Sequence, residues 1–150
     1  AGCIFHAMDE SDVENIMKYP HTMIASDGRL SEPGVGHPHP RAYGTFPRVL
    51  GRYVREKNIL SMSEAIYKMT YLPAKAFGLQ DRGLIKQGMK ADITIFNADT
   101  VTDKATFESP HQYPEGIKYV IVNGQLAVDN FEFKNLKAGE VLRKKSLWVD

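Results

Sequence analysis

Hydrophobic residues in the first half of the chain recur with the period of an α-helix. Val49, Leu50, Tyr53 and Val54 fall on one side of such a helix, and arginines occupy positions between them. Spacing of this kind predicts an amphipathic helix whose apolar side faces a core.

Two helix starts are indicated by a serine followed three residues later by a glutamate. Ser11 with Glu14, and Ser61 with Glu64, have the spacing of a capping box, in which each side chain bonds the backbone N–H of the other residue. The first of these helices is expected to stop at Pro20, which cannot continue it.

Short apolar runs flank the first helix and predict strands. Ile4–Phe5 precedes it and His21–Ser26 follows it, and strand, helix, strand is the order of a parallel βαβ unit. The next segment, Gly28–Pro47, is rich in Gly, Pro and His. It predicts a loop too long to be a mere connection, which favours a functional role.

Beyond residue 79 the pattern changes from helical spacing to alternation. Asp92–Phe96 predicts a strand, and the runs Tyr119–Val122 and Gln125–Val128 predict a hairpin. Asn123 and Gly124 lie between these runs. Asparagine and glycine both readily adopt the positive φ that a two-residue hairpin turn requires. The second half of the chain is therefore predicted to be β-rich.

Composition restricts the class of protein further. The chain has 150 residues, of which 43% are hydrophobic and 25% charged, which excludes a fibrous or disordered protein. Lys and Arg exceed Asp and Glu by a net charge of only +1, so no nucleic-acid partner is indicated. No apolar run reaches the roughly 18 to 20 residues of a membrane span. The single cysteine, Cys3, is compatible with a reducing cytoplasm, the expected location.

Asp27 is the first candidate for chemistry. It directly follows the predicted strand His21–Ser26 and precedes Gly28. A carboxylate at the carboxyl end of a strand, before a glycine that permits a sharp turn, lies where barrel enzymes carry their catalytic groups. The alternative is a structural aspartate that forms a turn or caps a helix.

Several short strings then occur in a fixed order along nearly the whole chain. They are Ser-Asp-Gly at residues 26–28, His-Pro-Arg at 39–41, Gly-Thr-Phe-Pro-Arg-Val-Leu-Gly at 44–51, Gly-x-x-Ala-Asp at 88–92 and Val-Asn-Gly at 122–124. The last two are common to many amidohydrolases, whereas the block at 44–51 with its upstream His-Pro-Arg is narrower. Together they resemble the carboxyl-terminal part of the N-acyl-D-amino-acid deacylases, or D-aminoacylases, of the amidohydrolase superfamily.

The resemblance implies an α/β plus β fold that is part of a larger enzyme. Residues 1–79 would supply the last strands and helices of a (β/α)8 metal-dependent hydrolase barrel, and residues 80–150 most of a small β-sandwich domain. A complete barrel needs about 250 residues, so its remainder is expected upstream. The principal zinc ligands of the family, a cysteine and histidines on earlier strands, match no position in this chain.

The resemblance also implies the reaction, cleavage of an N-acyl-D-amino acid into a carboxylate and a free D-amino acid. Zinc, the cofactor implied for the full-length enzyme, lowers the pKa of a bound water and polarises the carbonyl. Asp27 is implied as the catalytic group that accepts the proton of the water and passes it to the leaving nitrogen. In this superfamily the same aspartate can also contact a second metal.

Arg41 is implied as the substrate-binding residue. Its guanidinium would bind the α-carboxylate of the substrate bidentately, and the alternative is an ordinary surface salt bridge. His37 and His39 form a His-x-His pair, but the metal-binding pair of the family lies near its first strand. These two histidines are therefore expected to shape the loop or line a pocket, whereas His21 and His111 are expected to be solvated.

Two other interpretations of the function stay open. One is a different amidohydrolase, which cleaves a cyclic amide or acts as a D-glutamate- or D-aspartate-type deacylase. The other is a non-catalytic β-rich module for assembly or binding. A small N-acyl amino acid is the expected partner of the enzyme, and the isolated chain is expected to be inactive because the principal zinc ligands are missing.

Overall fold

A computed structural model of the chain describes residues 7–143. The predicted strand Ile4–Phe5 and Cys3 lie outside the described residues. Within them, helices come first and a four-stranded antiparallel sheet of order β1-β2-β3-β4 follows. In chain order the elements are α1 (Glu10–Lys18), α2 (Arg41–Arg48), a π-helix (Val49–Glu56), α3 (Met62–Met69), α4 (Tyr71–Phe77), β1 (Ile93–Phe96), β2 (Ile117–Val122), β3 (Gln125–Asp129) and β4 (Glu132–Phe133).

One of the two predicted capping boxes forms. At the start of α3, the Ser61 side chain accepts from the Glu64 N–H and the Glu64 carboxylate accepts from the Ser61 N–H. Hydrogen bonds from the hydroxyl and the N–H of Ser61 lower the pKa of Glu64. The box predicted at Ser11 is wrong, because Asp9 caps α1 by accepting the Ser11 N–H at 2.8 Å. Aspartate is an equally good N-cap, and it lies two residues earlier.

The predicted strand His21–Ser26 is wrong, since this segment has no regular secondary structure. A strand needs a neighbouring strand with which to exchange hydrogen bonds. Ile24 instead donates its N–H to the carbonyl of Lys68 at 3.1 Å, at the end of α3. The buried ammonium of Lys68 donates in turn to the carbonyls of Tyr19 and Thr22. The described residues therefore contain no parallel βαβ unit, and a helix end holds the segment instead.

The predicted amphipathic helix is confirmed, although it is a π-helix. Val49, Leu50, Tyr53 and Val54 are all buried, as the spacing of these apolar residues requires. The helix continues directly from α2, and π-helical turns are rare and found frequently at functional sites. In the described part of the chain no helix is both long enough and apolar enough to cross a membrane.

The loop predicted over Gly28–Pro47 is shorter than expected, because α2 already begins at Arg41. The first backbone N–H groups of a helix have no partner within the helix. Here the Arg41 N–H donates to the ring nitrogen Nδ1 of His39 at 3.0 Å. Pro47, the last residue of the predicted loop, is part of the helix. It lies at the seventh position of α2, directly before the change to π-helical hydrogen bonding.

The predicted hairpin is confirmed. Asn123 and Gly124 both have positive φ, of 49° and 78°, and the strands on either side of them pair antiparallel. A second tight turn at Asn130 and Phe131, with φ of 50° and 72°, adds the two-residue strand β4. The sequence pattern did not predict this strand, because Phe131 is an unusual residue at positive φ.

Among residues 7–143, a hydrophobic core joins the helices to the β-rich part. The fully buried Val101 packs with the buried face of the π-helix, and Phe96 and Ile117 pack against the same cluster. Gly51 permits this contact because it faces the backbone of Val101 directly. The two halves of the described chain are therefore packed as one body at this interface.

We expect Gly51→Ala to lower the free energy of unfolding by about 1–3 kcal/mol, the usual cost of overpacking. A Cβ at this position would lie 2.7 Å from the carbonyl oxygen of Val101, although in an open helix the same change would be stabilising. Gly139→Ala is the matched control, since an added Cβ there meets nothing within 4 Å. Thermal unfolding of both variants checks this, and equal melting temperatures would show that the contact is not tight.

Candidate functional site

The two site residues identified from the sequence lie side by side. Oδ2 of Asp27 is 2.9 Å from Nη2 of Arg41, and the exposed fractions of the two side chains are 84% and 44%. A loop of residues 28–40, called here the site loop, connects them. The carboxylate and the guanidinium thus form one accessible charged pair, whose catalytic and binding roles stay predictions.

The backbone at Asp27 explains how the pair is brought together. Asp27 has a φ of 47°, in the left-handed region that few residues other than glycine adopt. Gly28 was expected to make the turn, but its role is a close approach. A Cβ on Gly28 would lie 2.9 Å from Cα of Ala42. The chain therefore turns at Asp27 itself and then packs against the first turn of α2, which carries Arg41.

A cavity of about 360 Å³ lies next to this pair, between α2 and the chain around residues 103–108. Its wall includes Arg41, Phe107 and the ion pair of Arg48 with Asp103, whose Nη1 and Oδ2 are 2.9 Å apart. Burial lowers the pKa of Arg48, but the hydrogen bond and charge of Asp103 outweigh it, so the pKa is raised overall. The cavity is thus lined by charged side chains of both signs and by the aromatic ring of Phe107.

The histidines of the site loop shape it, as predicted. Nε2 of His37 lies 2.6 Å from the carbonyl oxygen of Phe107. The His39 ring meets the Phe107 ring edge to face at 5.1 Å, and its Nδ1 accepts the Arg41 N–H. Both rings are therefore used to attach the loop to α2 and to residues 103–113, called here the tether segment.

The prediction that His111 is solvated is wrong. Its Nδ1 accepts the Gly34 N–H at 3.2 Å and lies 2.9 Å from the Tyr43 hydroxyl, and its Nε2 lies 3.0 Å from the Gly36 carbonyl oxygen. All three partners are distant in sequence. No local pattern around His111 could have indicated them.

The described residues do not fit a complete zinc site. Among residues 7–143, no three His, Cys, Asp or Glu side chains converge in a way that could hold a metal ion. Asp27 contributes one carboxylate, and its nearest charged neighbour is a guanidinium. Three or four ligands are usual for zinc in proteins, so most of them would have to come from residues other than these.

A second charged cluster lies in the β-rich part. The buried Arg82 pairs with the carboxylates of Asp92 and Glu140 and donates to Oδ1 of Asn123 at 2.7 Å. Asp92 also accepts the Asn123 N–H at 2.7 Å. These contacts tie the turn before β1 to the hairpin of β2 and β3. The strings Gly-x-x-Ala-Asp and Val-Asn-Gly thus have a structural role.

The sequence of the chain is similar to those of known enzymes. The Amidohydrolase family matches residues 6–128. An N-acyl-D-glutamate deacylase of Alcaligenes xylosoxydans xylosoxydans is 50% identical over 124 residues, which cover 83% of this chain and 25% of that protein.

Solved structures agree with this comparison. A D-aminoacylase studied for its binuclear metal centre matches with a TM-score of 0.82 and 45% identity, over 88% of this chain and 27% of that one. The N-acyl-D-glutamate deacylase of Bordetella bronchiseptica, in complex with zinc and a phosphonate inhibitor, matches with a TM-score of 0.74 and 44% identity, over 80% and 25%. The chain spans about a quarter of the length of these relatives.

Proposed function

Because the chain belongs to the amidohydrolase family, we propose that it is the carboxyl-terminal portion of a zinc-dependent N-acyl-D-amino-acid deacylase. The full-length enzyme would hydrolyse the amide bond of an N-acyl-D-amino acid to a carboxylate and a free D-amino acid. The observation that carries the proposal is the contact of Asp27 with Arg41 at 2.9 Å, in a chain about half identical to an N-acyl-D-glutamate deacylase.

The chemistry of the substrate explains why these two side chains should be neighbours. In an N-acyl amino acid, the carboxylate and the nitrogen of the scissile amide are bonded to the same carbon atom. A residue that binds this carboxylate and a residue that protonates this nitrogen must therefore lie close together. Arg41 and Asp27 meet that requirement, with the guanidinium as the binding group and the carboxylate as the proton carrier.

The guanidinium retains capacity for a substrate. Arginine has five N–H donors, and Nη2 makes the 2.9 Å contact with Asp27. The partial exposure of the Arg41 side chain, 44%, leaves room for a carboxylate to approach. Asp27 would then lie beside the bound α-carbon and transfer a proton between the attacking water and the leaving nitrogen.

We also propose the domain division and the source of the metal. Residues 1–79 would belong to the end of the barrel and residues 80–150 to the β-sandwich domain. The principal zinc ligands would lie upstream, and Asp27 would at most contact a second metal. The location proposed is the cytoplasm, on the evidence of Cys3 alone.

The alternatives differ in their need for Arg41. Many cyclic-amide substrates carry no carboxylate beside the amide nitrogen, and for these a guanidinium next to the catalytic aspartate would have no evident partner. A deacylase of the D-glutamate or D-aspartate type keeps that need and differs only in the side chain of the substrate. The non-catalytic module is disfavoured because the relatives are named as deacylases.

An activity assay of the full-length enzyme tests the proposal. We expect hydrolysis of N-acetyl-D-glutamate, N-acetyl-D-aspartate or N-acetyl-D-leucine, and little hydrolysis of the L enantiomers. A chelator should abolish turnover and zinc should restore it. The 150-residue chain alone should be inactive. Hydrolysis of cyclic amides only, or zinc-dependent turnover by the chain alone, would contradict the proposal.

A further inference from the structure

We infer that His111, in the β-rich half, is a positioning residue that fixes the site loop and thereby the placement of Arg41 against Asp27. The inference rests on the function proposed for that pair. Its structural part, the fixing of the loop by the imidazole, can be measured without any substrate.

The hydrogen bonds of His111 determine the form of its ring. The Gly34 N–H can only donate, so Nδ1, 3.2 Å away, must present its lone pair. The Gly36 carbonyl oxygen can only accept, so Nε2, 3.0 Å away, must carry the proton. The neutral ring protonated at Nε2 satisfies both groups. The Tyr43 hydroxyl, 2.9 Å from Nδ1, can share that lone pair with the Gly34 N–H as a second donor.

Apart from His111, residues 34–36 of the loop are held by the Val35 N–H, which donates to the Glu32 carbonyl oxygen at 3.0 Å, and by the neighbouring His37. Gly34 and Gly36 have φ of 81° and 71°, and the space beside both is open. Val35 between them is 58% exposed. Glycines at positive φ have many alternative conformations in a free chain, so fixing them needs an external contact. One imidazole supplies it by bonding the N–H of the first glycine and the carbonyl of the second.

The same ring reaches the helix that carries Arg41. Tyr43 lies in the first turn of α2, two residues after Arg41. Its ring meets those of His111 and Tyr113 edge to face, at 5.7 and 5.6 Å. His111 therefore holds the middle of the site loop and the helix start at its far end simultaneously. A shift of about 1 Å in a binding group can reduce rate as much as a hundredfold.

The first experiment measures amide hydrogen exchange in the full-length enzyme without substrate. In His111→Ala, exchange of the segment 33–37 should accelerate at least tenfold. In His111→Asn it should accelerate less, because the amide oxygen lies near the position of Nδ1 and can still accept the Gly34 N–H. His21→Asn is the matched control, an exposed histidine whose ring contact is with Tyr19. It should leave this segment unchanged.

The second experiment compares steady-state kinetics of the same variants on an N-acetyl-D-amino acid that the wild-type enzyme hydrolyses. His111→Ala should raise KM about tenfold or more, with a smaller effect on kcat, since a displaced Arg41 weakens carboxylate binding. On the methyl ester of the same substrate KM should hardly change. His111→Asn should recover part of the loss. A purely structural defect would instead lower kcat by reducing the active fraction, equally on both substrates.

The outcomes separate this inference from the proposed function. Unchanged exchange in His111→Ala would overturn the fixing of the loop. Faster exchange with unaltered KM and kcat would overturn the positioning role and leave the deacylase proposal intact. A wild-type enzyme that hydrolyses no N-acyl-D-amino acid would overturn the deacylase proposal and with it the positioning role, whatever the exchange data show about the loop.

Discussion

Asp27→Asn is expected to lower kcat of the proposed full-length deacylase by about 10²- to 10⁴-fold, the usual contribution of a general acid–base group. Asparagine preserves the backbone conformation at this position. Asparagine tolerates the left-handed backbone, here at a φ of 47°, and its amide oxygen can still accept from Arg41. The substitution thus keeps the turn, and it removes the capacity to carry a proton together with the negative charge that faces Arg41.

Kinetics on an N-acetyl-D-amino acid, together with the metal content and melting temperature of each preparation, check this result. Asp12→Asn is a suitable control, since it removes an exposed carboxylate in the first turn of α1. It should leave kcat unchanged. A near-normal kcat in Asp27→Asn, with unchanged metal content, would mean that Asp27 is a structural turn residue.

Arg41→Ala is expected to lower kcat/KM about ten- to a hundredfold for substrates with a free α-carboxylate, because a charge-assisted hydrogen bond contributes about 1.5–3 kcal/mol. Arg41→Lys should also lose activity, since an ammonium cannot reproduce the bidentate fork. The lysine variant is the more informative of the two. It retains a positive charge near Asp27, whereas alanine leaves that carboxylate without its partner.

The comparison of an N-acetyl-D-amino acid with its methyl ester isolates the role of the guanidinium. For the ester, the loss caused by either variant should nearly vanish. Arg29→Ala, which removes an exposed arginine of the same loop, should affect neither substrate. Equal losses on the acid and on the ester would show that Arg41 holds the site loop rather than the ligand.

The sequence predicts those elements of this fold that depend on contacts within a few residues. The hairpin turn needs two residues with positive φ, which Asn123 and Gly124 provide themselves. The capping box of Ser61 and Glu64 likewise closes within one turn of α3. The segment His21–Ser26 failed as a strand because strand formation depends on a neighbour, which apolar composition cannot reveal.

For the candidate site, too, the sequence indicated individual residues but not the long-range contacts between them. Arg41 is identified by strings that match a family, and Asp27 by those strings and by its position after a predicted strand that does not form. Their adjacency in space was not derivable from the spacing alone. The fixing of the site loop by His111 was missed altogether. Its partners Gly34, Gly36 and Tyr43 are far away in sequence, and an isolated histidine in a turn-like stretch carries no signal of them.

The hydrophobic core that joins the two halves of the described chain limits how this protein and its relatives could exchange parts. A chimera junction near residue 79 would coincide with the change from helical spacing to alternation in the sequence. It would nevertheless take Gly51 from one parent and the Val101 backbone, against which Gly51 packs, from the other. It would also bring in a different tether segment beside the site loop. We expect a chimera joined there to lose stability and to change its substrate preference. Both should be retained when Gly51 and Val101, and likewise the site loop and the tether segment, come from the same parent.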